Sequence, residues 1–385
     1  MLTFIFILKN LSRHRLRNAL TILGIAMSVL SFGLLRTTVD AWYAGVEASS
    51  STRLVTRNAI SLIFPLPIHY AEQIRGVEGV TTVCAGSWFG GVYIDEKNFF
   101  PNFAVDTRTY FDLYPELRLA ENQKADFLHD RKGCVIGAKL AERFGWKVGD
   151  QVTLKGTIYP GNWDMTVRAI YHGRDTHVDE TQLLFHWDYL NETLKKTSPS
   201  RADQTGFFII GIDSGDHAAE ISRAVDQRFA NSLAETLTET EKAFQMSFIS
   251  MSGAIVTAIQ LVSSLVVLII LAVAANTMAM SARERMGEFA ALKALGFGGG
   301  YLALLIMGES LAIAGIGSAL GCALTFPAAA AFGSAVSQFF PIFQVSHTTV
   351  LLQGIAALAV GVAAGIAPAL RASHVGIAQA MRRIG

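Results

Sequence analysis

Residues 310–370 read SLAIAGIGSALGCALTFPAAAAFGSAVSQFFPIFQVSHTTVLLQGIAALAVGVAAGIAPAL, a run of 61 residues without Asp, Glu, Lys or Arg. Roughly 20 apolar residues suffice to cross a bilayer core, so this run can hold two membrane spans. Its most polar part, residues 333–347, includes Pro341 and His347 and is typical of a short turn at the membrane surface. These features predict two transmembrane helices, over residues 300–332 and 348–371, joined by that turn.

Two further charge-free runs predict two more spans. Residues 18–35 are long enough for one span, and residues 243–282 form a longer one. A helix over residues 243–282 would extend about 60 Å, against a hydrocarbon core of about 30 Å. We therefore expect each of these two spans to continue outwards as a stalk, within residues 18–47 and 243–282.

The charge distribution predicts how the chain is oriented. The 385 residues are 51% hydrophobic with a mean hydropathy of +0.37, yet residues 40–247 have ordinary polarity and a net charge of −7, against +8 for the rest. Lys and Arg residues at span ends mark the cytoplasmic side. They lie before the first span, after the second and after the fourth. Residues 283–299 and both termini, including the tail 372–385, are therefore expected in the cytoplasm of a bacterial cell, with the spans in its inner membrane and residues 48–242 outside.

The basic residues before the first span are Lys9, Arg13, Arg15 and Arg17. Together with the apolar residues that precede them, they predict an amphipathic entry helix over residues 1–17 that lies on the membrane surface. Because the basic residues are spread over the span ends, contact with the lipid bilayer is favoured over binding of nucleic acid.

Residues 48–242 alternate short strand and helix patterns. Residues 207–212 have the composition of a buried strand, and residues 139–144 that of a short helix ended by Gly145. Cys84 and Cys134 lie in this region, where a disulfide and two buried thiols both remain open. The predicted fold is thus a membrane α-helical protein with four transmembrane helices and a large extracytoplasmic α+β domain of two lobes, inserted between the first and second helices.

Residues 283–299, between the second and third spans, have the periodicity of a helix. Their candidate partner-binding residues are Arg283, Glu284, Arg285, Glu288, Phe289, Leu292, Lys293, Leu295 and Gly296, and the last of these is expected to end the helix. The chain contains no Gly-x-x-x-x-Gly-Lys-Ser/Thr motif, so it has no phosphate-binding loop of that type. Any ATP-driven step therefore needs a partner that binds ATP and Mg²⁺, and no cofactor is expected in this chain.

The sequence resembles the MacB-, FtsX- and LolC/LolE-type permeases, which are subunits of ABC transporters. The resemblance is carried by residues 10–24, by 104–110 with 134–144 and 148–152, by 276–296, and by 368–382. The match over residues 276–296, which includes SARERMGEFAALKALG at residues 281–296, is its most specific part. It identifies residues 283–299 as the coupling helix of such a permease and implies a MacB-like outer domain.

The resemblance also implies partners. These are two copies of a separate ABC ATPase and a second permease subunit in a homodimer. The MacB pattern implies export of a periplasmic or outer-leaflet substrate, with a periplasmic adaptor and an outer-membrane channel. The FtsX pattern implies signalling to a cell-wall hydrolase, and the LolC/LolE pattern implies extraction of lipid or lipoprotein. The size of the inserted domain favours export, whereas the short stretch between residues 156 and 165 weakens lipoprotein release.

Glu309 is an acidic residue inside a predicted span, which makes it a functional candidate by default. The resemblance favours a structural role for it over a proton or substrate site. Gly317 and Gly321, like Gly361 and Gly365, have the small-xxx-small spacing of closely packed helices. Packing within the subunit is favoured for both pairs over contact between subunits.

The sequence offers weaker signals for metal binding and catalysis. The candidate metal ligands are His172, Asp175, His177, Asp179, Glu180 and His186. Their spacing matches no standard zinc pattern, so a solvated loop is favoured over a metal site. The chain has no Gly-x-Ser-x-Gly elbow and no evident pair of nucleophile and base, which predicts a non-catalytic subunit.

Overall fold

A computed structural model of the chain describes residues 15–336, 340 and 342–374. The entry helix before residue 15, with Lys9 and Arg13, lies outside the described residues, as do the tail beyond residue 374 and part of the 333–347 turn. The chain divides into two compact units. We call Met1–Ala41, Ser252–Ala335 and Phe343–Gly385 the membrane unit, and Trp42–Met251 with Val336–Ile342 the inserted unit.

The helices and strands are numbered in chain order. The helices are α1 (Arg15–Ala48), α2 (Tyr70–Arg75), α3 (Thr107–Leu113), α4 (Glu121–His129), α5 (Ala138–Phe144), α6 (Trp187–Thr197), α7 (Ala218–Arg228), α8 (Glu241–Met251), α9 (Gly253–Glu284), α10 (Met286–Ala294), α11 (Gly299–Val336) and α12 (His347–Ser373). The strands are β1 (Arg53–Asn58), β2 (Leu66–Pro67), β3 (Val80–Trp88), β4 (Gly91–Val92), β5 (Asn102–Val105), β6 (Leu117–Arg118), β7 (Gly133–Gly137), β8 (Gln151–Gly156), β9 (Gly161–Gly173), β10 (Leu183–His186), β11 (Gln204–Thr205), β12 (Phe207–Ile212) and β13 (Thr236–Thr240).

Within the described residues, four helices are long and apolar enough to cross a membrane: α1, α9, α11 and α12. The predicted fold class is thereby confirmed, with the α+β region inserted between the first and second spans. The helices extend further than the charge-free runs that predict them, because a helix ends where its backbone turns and not where its apolar residues stop. Thus α9 continues to Glu284 and α11 runs from Gly299 to Val336.

The second stalk differs from the single long helix that the sequence predicts. The helix breaks at Ser252, whose φ of −99° and ψ of 8° are not helical, so that α8 and α9 are separate. Just before the break, the hydroxyls of Ser247 and Ser250 donate to the carbonyl oxygens of Phe244 and Ser247, each at 2.7 Å. Such local bonds weaken a helix, and Gly253 is a poor helix former, which together account for the break.

Small residues allow close packing within the membrane unit. A Cβ atom on Gly317 would lie 2.7 Å from the side chain of Ile25, and one on Gly321 would lie 2.7 Å from the carbonyl oxygen of Ala26, both on α1. A Cβ atom on Gly361 of α12 would lie 2.8 Å from Ala314 of α11. These small-residue positions therefore serve packing inside one subunit, as the sequence analysis favours.

Among the described residues, the inserted unit contains one mixed sheet of eleven strands in the order β13-β1-β12-β3-β5-β10-β7-β9-β8-β4, with β6 beside β9. This sheet is continuous across the region in which the sequence predicts two lobes. Alternate residues of β7 and β10 enter different hydrophobic clusters: Ile136 and Phe185 enter one, and Val135 and Leu184 enter another. Both faces of the sheet are therefore covered in this region.

The sheet order also decides the state of the two buried cysteines. Cys84 lies on β3 and Cys134 on β7, with β5 and β10 between them. Three strand spacings of about 4.8 Å separate these strands, roughly 14 Å in all, whereas the two Cα atoms of a disulfide lie within about 7 Å. Both thiols are free, and burial raises the pKa of Cys84 to about 12.

Candidate functional site

The candidate site is the short helix α10 with its connections. The backbone leaves helical geometry at Arg285, so α9 ends and α10 starts at Met286. The far end of α10 is set by Gly296, whose φ of +94° is in the left-handed region that favours glycine. The amide of Phe297 donates to the carbonyl oxygen of Leu292 at 3.1 Å, which is the pattern of a Schellman helix end.

Arg285 connects this helix to the interior of the membrane unit. Its Nη1 donates to Oε2 of Glu309 at 2.5 Å, and its Nε lies 3.2 Å from Oε2 of Glu288. Its guanidinium also lies over the ring of Phe289, 5.2 Å from the ring centre. The side chains of Arg285 and Glu309 are only 11% and 8% exposed. Each of these two buried charges is compensated by the other.

Two further contacts connect the ends of neighbouring helices near α10. Lys293 donates from Nζ to the carbonyl oxygen of Ser373 at 2.9 Å, at the end of α12. Arg17 of α1 forms a 2.5 Å ion pair with Glu284 of α9 and donates to the hydroxyl of Ser281 at 3.2 Å. A cation at the carboxyl end of a helix is also favourable to the helix dipole.

The nine predicted partner-binding residues differ in exposure, and Glu288 and Lys293 are partly buried. Arg285 and Phe289 are buried, and Leu292 packs against the hydrophobic cluster of α10, α11 and α12. Arg283, Glu284, Leu295 and Gly296 are exposed, and Leu295 is 77% exposed. Phe297, which the sequence analysis does not select, is 42% exposed beside them. At the carboxyl end of α10, Leu295, Gly296 and Phe297 are all exposed.

The sequence analysis misses a buried amide in the membrane unit. Gln353 of α12 donates from Nε2 to the carbonyl oxygen of Val29 on α1 and to the hydroxyl of Thr325 on α11, both at 2.8 Å. Its side chain has no exposed surface. A signal is visible in the sequence, because Gln353 is the one Asn or Gln in residues 348–371.

Another missed group lies towards the amino end of α12. Asp40 of α1 accepts hydrogen bonds from the hydroxyls of Ser346 at 2.7 Å and Thr349 at 2.8 Å, and it lies 3.2 Å from Nε of Arg36. A carboxylate at the amino end of a helix is stabilised by the helix dipole. The four-residue spacing of Arg36 and Asp40 after an apolar run is the available sequence signal.

The inserted unit contains a third missed group around Arg53. Its guanidinium lies 2.7 Å from Glu116 and 2.8 Å from Glu241, and it is 4.2 Å from the ring centre of Tyr114. Burial alone would lower the pKa of Arg53, but the carboxylates of Glu241 and Glu116 raise it, so the guanidinium stays charged. Burial raises the pKa of Tyr114 well above its usual value.

Several of the six candidate metal ligands make other contacts. Glu180 accepts from the amide of Gly173 at 2.8 Å, and Asp179 accepts from the amide of Thr181 at 2.8 Å, so both hold their own loop. His186 is buried, with Nε2 donating to the carbonyl oxygen of Phe127 at 2.8 Å and Nδ1 3.1 Å from the hydroxyl of Thr107. Among the described residues, no three His, Cys, Asp or Glu side chains are grouped so that they could hold a metal ion.

The geometry defines a four-span membrane protein with a domain inserted after its first span and a short helix after its second. Residues 18–228 match the model of the MacB-like periplasmic core domain, and residues 260–377 match the FtsX-like permease C-terminal model. The first match alone covers more than half of the chain. The chain therefore belongs to the family of MacB/FtsX-type ABC transporter permeases.

Individual relatives are more distant. An uncharacterized ABC transporter permease of Methanocaldococcus jannaschii is 25% identical over 319 residues, which cover 77% of this chain and 75% of the relative. The extracellular domain of the noncanonic ABC-type transporter YknZ from Gram-positive bacteria aligns with 49% of this chain and 100% of that domain, at 15% identity and a TM-score of 0.34.

Proposed function

We propose that this permease passes movement from an ATPase, which these 385 residues do not contain, to its inserted domain, and so drives export of a periplasmic or outer-leaflet substrate. ATP and Mg²⁺ would be bound by that ATPase, in two copies under two permease subunits. The chain itself would be non-catalytic.

One observation carries the proposal. Helix α10 is attached to α11 through Arg285 and Glu309 and to α12 through Lys293 and Ser373, while Leu295 and Phe297 at its end remain exposed. A short helix that is fixed to the bundle and presents apolar side chains can transmit movement of a bound partner to the spans. Exposed apolar side chains are also a frequent sign of a protein interface.

Substitution at the exposed end of α10 tests this proposal. We expect Leu295→Asp and Phe297→Asp to abolish co-purification of an ATPase in detergent, with no loss of folded permease, because Leu295 is 77% exposed and Phe297, which stacks on Tyr301, is 42% exposed. The matched control is Ile63→Asp, an 88% exposed apolar residue of the inserted unit, which should retain the ATPase. Arg285 is unsuitable for this test, since reversing its charge would leave Glu309 buried without compensation.

Mass spectrometry of the wild-type complex completes the test. A permease purified as a stable monomer without any ATPase would contradict the proposal. An adaptor and an outer-membrane channel in the complex would support export. A cell-wall hydrolase would replace export by signalling, and a lipoprotein carrier would replace it by extraction.

The same proposal places both termini in the cytoplasm and the spans in the inner membrane. Its basis is that Arg15 and Arg17 lie at the start of α1, Arg283 at the end of α9 and Arg371 at the end of α12, since Lys and Arg at span ends mark the cytoplasmic side. Reporter fusions after residue 385 and within the inserted unit test it. Activity of a periplasm-dependent reporter at the carboxyl end would contradict the proposed orientation.

A further inference from the structure

The two polypeptide connections to the inserted domain meet at one place in its sheet. Helix α1 is followed by four residues and then β1, while β13 is followed directly by α8. Strands β1 and β13 are antiparallel neighbours, with Leu54 opposite Thr240. The end of α1 and the start of α8 are therefore joined to adjacent strands at the same end of those strands.

Arg53 and Glu241 are the residues at which these connections enter and leave the sheet. Arg53 is the first residue of β1, and Glu241 is the first residue of α8. Nε of Arg53 lies 2.8 Å from Oε2 of Glu241, and the two side chains are 7% and 9% exposed. The same Oε2 accepts from the backbone amide of Ser50 at 2.9 Å, in the segment that follows α1.

The guanidinium also reaches a third segment, the connection between α3 and β6. Nη1 of Arg53 donates to the carbonyl oxygen of Leu113 at 2.8 Å, and Nη2 lies 2.7 Å from Oε1 of Glu116. The hydroxyl of Tyr114 donates to Oε1 of Glu241 at 3.0 Å. Because β6 pairs with β9, this segment leads to the opposite part of the sheet from β1 and β13.

From these contacts we infer that Arg53 and Glu241 are positioning residues that make the ends of α1 and α8 and the α3–β6 connection move together, so that movement of the spans reaches the whole inserted domain. The inference rests on the proposed function, in which the domain moves in response to ATP. One guanidinium faces two carboxylates within a buried site, so a relative shift of any of the three segments would separate charges that have little access to water.

A second ion pair on the same two strands supplies a matched control. Arg57 of β1 lies 3.3 Å from Glu239 of β13, with side chains 17% and 20% exposed. This pair bridges the same strands but is further from Ser50 and contacts neither Glu116 nor Tyr114 in the structure. The test variants are Glu241→Gln and Arg53→Lys, and the control variants are Glu239→Gln and Arg57→Lys.

Glu241→Gln is chosen because it should fold. It leaves Arg53 balanced by Glu116, so no buried charge is stranded, and the amide oxygen of Gln can still accept from Ser50. Arg53→Lys keeps the positive charge but loses the planar guanidinium group that contacts three partners at once. The two variants therefore perturb the joint in different ways, and thermal unfolding of each reports its stability separately.

The experiment measures movement of the inserted domain in the full permease, purified with its ATPase in detergent. Spin labels are placed on two exposed residues, through Glu220→Cys on α7 and Thr348→Cys on α12, in a Cys322→Ala background. Cys84 and Cys134 are buried and should not be labelled. The distance distribution is recorded without nucleotide and with ATP and Mg²⁺, and ATP hydrolysis is measured in the same samples.

We expect the ATP-dependent shift in the wild type and in both control variants. In Glu241→Gln and Arg53→Lys the shifted population should fall at least about fivefold, the lower range for loss of a coupling between two sites, while ATP hydrolysis continues. A purely structural role would lower thermal stability and leave the shift intact in the folded protein. That result, or an equal loss in the control variants, would overturn the inference alone. A wild type that binds the ATPase and shows no shift would overturn the proposed function and the inference with it.

Discussion

The membrane unit and the inserted unit each contain a buried Arg–Glu pair that joins separate segments. Arg285 and Glu309 are 2.5 Å apart and 24 residues apart in sequence, whereas Arg53 and Glu241 are 2.8 Å apart and 188 residues apart. Arg285 has Glu309 and the half-exposed Glu288 as partners, whereas Arg53 is surrounded by the buried carboxylate of Glu241, the partly buried carboxylate of Glu116, a carbonyl oxygen and a tyrosine ring. In the membrane unit the pair joins the start of α10 to α11, and in the inserted unit it joins the start of β1 to the start of α8.

The difference between the pairs concerns what remains when the arginine is removed. Without Arg285, Glu309 would be left among apolar residues of α11 as one buried carboxylate without compensation. Without Arg53, Glu116 and Glu241 would repel each other in one site and both would lose their compensation. A buried charge without a partner is costly, and two in one site are more so. Substitution of Arg53 is therefore expected to have a larger effect than substitution of Arg285.

The largest effect is expected at Arg53. Arg53→Met should destabilise the inserted domain by about 5 kcal/mol, at the upper end for breaking a buried pair from one side. Chemical unfolding followed by tryptophan fluorescence measures it. Arg57→Met, at the more exposed pair on the same strands, should cost about 1 kcal/mol or less. Equal losses of unfolding free energy at Arg53 and Arg57 would show that the two ion pairs do not differ in their contribution to stability.

A smaller effect is expected at Arg285. Arg285→Met should cost about 3 kcal/mol, since one buried carboxylate is left without its partner. The double variant Arg285→Met with Glu309→Leu should recover much of this stability, because no charge is then buried. Thermal unfolding in detergent compares the two. A double variant no more stable than Arg285→Met would show that the cost does not come from the stranded carboxylate.

Gly33→Ala perturbs an uncharged contact in the membrane unit. The added Cβ would lie 2.1 Å from Nε2 of Gln353 and 2.9 Å from the methyl group of Thr325, so the amide must move from its two hydrogen bonds. We expect a loss of about 2 kcal/mol, typical of overpacking. Gly24→Ala on the same helix is the control, because nothing lies within 4 Å of its added Cβ. Similar unfolding temperatures for the two variants would contradict this account.

The smallest effect is expected at His186, a neutral buried group of the inserted unit. Burial lowers the pKa of His186, although the carbonyl oxygen of Phe127 and nearby carboxylates oppose this. Below the unfolded pKa of about 6.5, the unfolded chain binds more protons than the folded one, so stability should fall as pH falls. His186→Gln should flatten this dependence between about pH 7 and pH 5. If the unfolding free energy of the variant, measured in urea, depends on pH as that of the wild type does, other groups cause the pH dependence.

The sequence predicts the four spans, the inserted domain and the Gly296 helix end because each depends on local composition. Glu309 can be selected from the sequence because it is an acidic residue within an apolar run. Its partner Arg285 cannot be selected in this way, since it is one of several charged residues in residues 283–299. Arg53 and Glu241 are missed for a related reason: the region around them is rich in charge, and their contact depends on strand pairing across 188 residues. The break at Ser252 is missed because the residues around it remain uncharged.

The break at Ser252 makes the two stalk helices unequal. Helix α1 is uninterrupted at Ala41 and Trp42, where the chain leaves the membrane unit, whereas the return from Met251 to Ser252 coincides with the break. Bending α1 at Ala41 would sacrifice helical hydrogen bonds, each of which contributes about 1 kcal/mol. Rotation about the backbone at Ser252 sacrifices few, because the ladder of helical hydrogen bonds is already interrupted there. Bending within the second stalk is thus less costly than bending within α1.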